Sequence, residues 1–201
     1  MLDPSHPDES LDGILGRLGE CLERAQAPYT GLVVCGGAAL IATGLHVRTT
    51  LDVDILALYD GADRLLDPEP LPEHLLLAAK TVGRELQLPA GWLNNGPSSN
   101  SGGLFQMGLP GGLMFRLIRR DYGNRLGVSF VGRLDQIHFK LYASVDRGGY
   151  HISDLEALRP TDEELILAGR WAMTHDVSPG FRGMLKQLLQ ELGHHGAAER
   201  L

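Results

Sequence analysis

The sequence predicts an α/β protein: a small mixed sheet with helices, followed by a C-terminal helical segment. Three observations carry that prediction. Residues 32–58 (LVVCGGAALIATGLHVRTTLDVDILAL) read as a buried strand, a Gly36-Gly37 turn, a short helix and a second strand. Apolar residues recur at helical spacing over residues 11–27, 73–86 and 134–147. A helix-start signature at Thr161 then opens a region of helical pattern that runs almost to the end.

Taken in order, residues 1–10 are rich in Asp, Pro, Ser and His and read as disordered. Leu11, Ile14, Leu15, Leu18 and Leu22 make one helical stripe, which Pro28 ends. Strand one covers residues 32–35. A helix begins at about Ala38, and strand two carries Asp52-Val53-Asp54 and closes near Tyr59-Asp60-Gly61. Leu75, Leu76, Ala79, Val82 and Leu86 predict a helix over 73–86, after the loop of Pro68, Pro70 and Pro72. Residues 88–103 have loop composition, which a functional lid would share, and Asn94 and Asn95 read as plain turn residues. Two strands are expected at 113–118 and 126–131. The helix of residues 134–147 is apolar on two sides, which encloses Lys140 between them. Thr161 with Glu164 makes a capping box for a helix ending near His175. A last amphipathic helix spans 181–192, with His194-His195 in a disordered tail. The expected organisation is a domain over 11–158 and a helical segment over 159–193.

The chemistry is concentrated in the first motif. Alternation along a strand puts Asp52 and Asp54 on one face, with Leu51, Val53 and Ile55 on the other. Two neighbouring carboxylates repel and are costly to bury without a cation. A divalent ion removes that cost and can bridge triphosphate oxygens, and Mg²⁺ suits one or two carboxylates plus phosphates. Gly36 and Gly37 allow the backbone to approach a phosphate closely. Lys140 is one of only three lysines, and an enclosed lysine needs an anion: a nucleotide phosphate or a neighbouring carboxylate. Arg116, Arg119, Arg120, Arg125 and Arg133 form a basic run. It could hold triphosphate or an RNA backbone, or serve as a solvated edge that discourages strand pairing.

The 32–58 stretch resembles the nucleotidyltransferases of the DNA polymerase β superfamily, and most of all the bacterial toxin-type enzymes of abortive-infection systems. Their Gly-Gly-x-x-Leu and Arg-x-Thr-x-Asp-x-Asp patterns are matched by Gly36, Gly37, Leu40, Arg48, Thr50, Asp52 and Asp54. A second block matches at Lys140-Leu141-Tyr142-Ala143, Arg147 and Asp154-Leu155, so the likeness covers 32–58 and 135–158. The resemblance implies the minimal nucleotidyltransferase fold. It makes Asp52 and Asp54 the ligands of catalytic Mg²⁺ and Lys140 a catalytic residue. Gly36, Gly37, Arg48, Thr50, Lys140 and Asp154 become the nucleotide-binding set. It further implies an NTP substrate, a tRNA or protein acceptor and a cognate antitoxin. One departure stands out: these enzymes usually add a third carboxylate from a neighbouring strand. The expected strand 126–131 offers only Ser129, and Asp121 is the nearest acid. Losing that group removes a metal ligand and a candidate general base. A nucleotide- or partner-binding protein with a degenerate site is therefore the second reading, and a small-molecule, antibiotic-type nucleotidyltransferase the third.

Composition excludes other classes. With 18 basic and 25 acidic residues the net charge is −7, which argues against nucleic-acid binding driven by charge alone. No apolar run approaches membrane-spanning length and the N-terminus is polar, so a cytoplasmic protein with no membrane partner is expected. Cys21 and Cys35 are too few for a disulfide framework. The glycines do not form G-x-G-x-x-G, and no histidine pair has H-E-x-x-H spacing.

Overall fold

The computed structural model describes residues 10–45, 50, 52–60, 64–100 and 102–201. The chain divides into two compact units, Met1–Val131 and Gly132–Leu201. The first is mixed α/β and the second is helical, so the α/β class read from the sequence holds.

The first unit begins with α1 (Leu11–Arg24). Ser10 caps it by accepting a hydrogen bond from the Gly13 N–H at 3.0 Å, so Ser10 belongs to the helix and not to a disordered leader. The apolar stripe of α1 sinks Leu15, Leu18 and Leu22 completely. Burial of each contributes about 1.5–3 kcal/mol, far more than intrinsic helix propensity supplies. β1 (Thr30–Cys35) is buried along its whole length. α2 (Gly36–Ala42) starts at the first glycine, two residues before the expected Ala38. β2 (Val53–Tyr59) and the two-residue β3 (Leu65–Leu66) precede α3 (Glu73–Glu85), which matches its predicted span closely.

Residues 88–103 are not simply loop. They contain β4 (Leu93–Asn94) and a 3₁₀ turn at Gly96–Ser98, and α4 (Leu104–Met107) follows. The expected strand 113–118 is also corrected. Leu113–Arg116 is a 3₁₀ turn, and the strand, β5 (Ile118–Asp121), lies further on and is mostly exposed. β6 (Leu126–Phe130) is fully buried.

Among the described residues the sheet has six strands, in the order β3-β2-β1-β6-β5, with β4 also on β2. β1 runs antiparallel to β2 and parallel to β6, while β5 is antiparallel to β6. One face carries the core. Leu32 and Val34, Val53 and Ile55, and Leu126, Val128 and Phe130 pack with the stripes of α1 and α3.

The second unit contains α5 (Arg133–Arg147), α6 (Tyr150–Ala157), α7 (Asp162–His175), α8 (Pro179–Glu191) and α9 (His195–Arg200). α5 fills the predicted span, and buries Ile137, Phe139 and Leu141 together with Lys140. The capping box is formed: Thr161 accepts from the Glu164 N–H, and Glu164 accepts from the Thr161 N–H at 2.9 Å. Ser178 caps α8, with Pro179 in its first turn. The tail is not disordered. Ala197, Ala198 and Leu201 are buried, and α9 packs on α7 and α8, because Gly169 leaves room for the Leu201 side chain. His175-Asp176 is a helix end, where Asp176 accepts from the Ser178 N–H at 2.8 Å.

Candidate functional site

Five residues of the predicted site come together where β1 passes into α2. Cys35 stands opposite Asp54 in the β1–β2 ladder, so the glycines that follow Cys35 lie beside that acid. Gly36 has a φ of +67°, a conformation that disfavours any side chain. A Cβ there would also sit 2.5 Å from Asp54 Oδ2. Gly37 has the same close fit against Thr50, whose Cβ would be 2.8 Å away. Thr50 is buried, and its hydroxyl accepts a hydrogen bond from the Asp52 N–H at 3.3 Å. The glycines are therefore required by steric fit to the acid-bearing segment.

Simple alternation does not place the two acids. β2 begins at Val53, so Asp52 precedes the strand and is exposed, while Asp54 is half-buried within it. The strand also carries a β-bulge. Tyr59 pairs with Gly31, Leu58 with Leu32 and Ala57 with Val33. The register then slips by one, so that Ile55 pairs with Val34 and Asp54 with Cys35. Leu56 has no partner in β1. Unbroken alternation from Leu58, which packs on the core, would send Leu56 and Asp54 to the core face as well. The bulge inverts that order. Ile55 enters the core, and Asp54 comes to the opposite face with Cys35, Val33 and Ala57.

Beside Asp54 on the other edge of β2 lies Asn94 of β4, reading as strand rather than turn. Trp92 anchors this short strand. Its indole N–H donates to the Ala79 carbonyl at 3.0 Å, and its own carbonyl accepts from the Val53 N–H at 2.6 Å. Composition alone marks Trp92-Leu93-Asn94 as loop, and only pairing with β2 makes it a strand. Asp121, the nearest acid before β6 in sequence, lies on β5 opposite Gly127 and is engaged by Arg119 at 3.0 Å.

Lys140 and Asp154 belong to the second unit, where they meet each other. The lysine Nζ is 2.5 Å from Asp154 Oδ2, and both side chains are almost wholly buried, at 7% and 1% exposure. The Tyr150 ring lies 5.7 Å from the same ammonium. Of the two anions open to Lys140 from the sequence, the structure supplies the carboxylate. Arg48 lies outside the described residues.

The basic run is spent on internal contacts. Arg119 donates to Tyr29 at 3.0 Å besides its ion pair with Asp121, and Arg120 pairs with Asp12 at 3.0 Å. Arg116 and Arg125 donate to the backbone carbonyls of Gly111 and Ala27. Arg133 binds Glu164 and the Leu158 carbonyl. A cavity of about 520 Å³ opens on the Asp54 face of the sheet, lined by Tyr59, Leu113, Phe115, Arg119 and Ser129 among others. Burial pushes the Tyr59 phenol well above its usual value, with the hydrogen bond to Tyr29 adding to the shift.

Among the described residues no group of three or more His, Cys, Asp or Glu side chains is placed to hold a metal ion, and no helix is long and apolar enough to cross a membrane. Asp54 against side-chain-free backbone at Gly36, with Asp52 two residues before it, nevertheless has the donor chemistry of a hard cation that shares its coordination sphere with phosphate oxygens. Compared with protein-family models, curated proteins and solved structures, the chain matches none.

Proposed function

We propose that the protein transfers a nucleotidyl group from a nucleoside triphosphate to an acceptor, with Asp52 and Asp54 holding Mg²⁺. The carrying observation is the contact of Asp54 with Gly36, which has positive φ and no room for a side chain. It joins the two halves of the motif, phosphate-approaching glycine and acid, at one place. When bound, the metal would neutralise charge on the transferring phosphoryl group. The chain's own residues do the rest. Gly36 and Gly37 let the β1–α2 turn seat directly against Asp54 and Thr50, and Thr50 fastens the backbone at Asp52. Asp54 is held at fixed height by its ladder to Cys35. In this reading the protein is cytoplasmic, and the resemblance to toxin-type enzymes points to a tRNA or protein acceptor and a cognate antitoxin.

Asn94 favours a second reading. An amide, not a carboxylate, stands on the strand beside Asp54. An amide supplies neither a general base nor a charged ligand. A nucleotide-binding protein without turnover would keep the glycine–aspartate contact and lack that group.

Label transfer separates the two. Wild type and an Asp52→Asn/Asp54→Asn variant are incubated with each α-labelled NTP, Mg²⁺, total cell RNA and protein, and a panel of small hydroxylated acceptors. Label moved by wild type alone supports transfer and names the acceptor class. Binding of Mg-NTP with no labelled product from any acceptor supports the second reading.

A further inference from the structure

We propose that Ser98 is a positioning residue for Asp54, acting through the bulge at Leu56. The inference rests on the reading of Asp54 as a metal-binding carboxylate. Along β2 every residue but one has a ladder partner. Val53 and Asp54 pair with β4 on the outer edge, Leu58 and Tyr59 pair with β3 there, and Ile55 and Ala57 pair with β1. Leu56 has none, and it is the inserted residue that inverts the alternation and turns Asp54 away from the core. A regular register would be reached by removing the slip, so something must hold it.

Ser98 sits in the gap between β3 and β4. Its hydroxyl donates to the Leu56 carbonyl at 2.7 Å, and the residue is completely buried. A buried carbonyl deprived of its donor is costly, so this bond favours the bulged register over alternatives that expose or strand the group. The hydroxyl is itself oriented, accepting from the Phe105 N–H at 3.3 Å. The Ser98 carbonyl accepts from Gln106 Nε2 at 2.9 Å, and the Gln106 amide also reaches Asp67 at 3.1 Å. Asn95 and Asn100 tie the same segment to the Pro68 carbonyl and the Glu69 carboxylate. Residues 95–100 and 102–106 thus form a brace, and its buried hydrogen bond to the strand falls at Leu56, the inserted residue that sets the orientation of Asp54.

Two readouts on the full chain test this. The first is Mn²⁺ binding in the presence of NTP, followed by electron paramagnetic resonance. Ser98→Ala is expected to weaken it about tenfold or more, as loss of an outer partner of a ligand does. Ser98→Thr, which keeps the hydroxyl, should bind as wild type. Deleting Leu56 in the Ser98→Ala background should restore binding, because the 33–57 and 34–55 pairs then continue without a slip and Asp54 keeps its face. The second readout needs no metal. The thiol of an Asp54→Cys protein should react several-fold more slowly with an aromatic disulfide reagent once Ser98→Ala is added, Cys21 and Cys35 being buried. Gly103→Ala offers an independent route, since its Cβ would press on the Ser98 backbone at 2.6 Å, and should act in the same direction. Equal Mn²⁺ binding by wild type and Asp54→Asn would overturn the ligand reading alone. Unchanged thiol reactivity, or failure of the Leu56 deletion to restore binding in a folded protein, would overturn the positioning role alone.

Discussion

Replacing Gly36 by alanine tests the site more sharply than removing an acid, because its effect divides into two parts that a control can separate. The first part is backbone strain. At a φ of +67° an L-residue costs about 1–2 kcal/mol. For a chain of this size that corresponds to a fall in Tm of about 2–8 °C. The second part is displacement of Asp54. A Cβ at 2.5 Å from Oδ2 has to recede by about 1 Å to reach ordinary contact near 3.5 Å. Metal–ligand distances tolerate about 0.2 Å, so that movement breaks the coordination geometry. Gly44 provides the control, since it has a φ of +74° and, among the described residues, no atom within 4 Å of its would-be Cβ. Gly44→Ala should therefore show a similar loss of Tm and unchanged ligand binding. Gly36→Ala should lower Mg-NTP affinity at least tenfold by calorimetric titration with each of the four NTPs. If the two alanine variants bind Mg-NTP equally well, the argument from Gly36 to the acid is wrong.

Two further predictions concern the helical unit. Lys140→Met leaves the Asp154 carboxylate buried without its ammonium, and should destabilise the unit by about 3–5 kcal/mol, whereas Lys140→Met/Asp154→Leu should recover most of that loss. Urea unfolding in a Trp92→Phe background, where Trp171 alone reports, measures both, and a single variant as stable as wild type would contradict the pairing. The hydrogen bond from Arg133 holds the Glu164 carboxyl below its usual range. Its contribution to stability is then complete above about pH 4.3 and is lost as pH falls through the lowered native value. Glu164→Gln should flatten the acid limb of the Trp171 unfolding profile, and parallel acid limbs in the two proteins would show that this carboxyl does not drive it.

The parts of the fold legible in the sequence are those set by local physics. The stripes of α1, α3 and α5 follow from apolar spacing, and the start of α7 from the side chains of Thr161 and Glu164. What local pattern does not reveal depends on partners distant in sequence. The apolar run at Leu113–Arg116 has strand composition, yet it lies in a 3₁₀ turn, while Ile118–Asp121 forms the strand because β6 offers it an edge. α9 carries no apolar stripe, and is held by small residues buried in the helical unit. Two residues, Leu93 and Asn94, are too few for any pattern to register, and become a strand only beside β2.

The orientation of Asp54 shows the same division at the scale of one side chain. Reading D-x-D by alternation puts both acids on one strand face, and the run from Ile55 to Tyr59 is too uniformly apolar to reveal where its alternation breaks. The break at Leu56 is visible only in the register against β1, and the hydroxyl that meets it comes from Ser98, 42 residues further on. Residue type therefore indicates which chemistry a position could perform, whereas the face it is presented on depends on a register slip that no local pattern reveals. It follows that Ser98→Ala, which touches none of the acids or glycines of the motif, should alter the site about as strongly as Gly36→Ala within it.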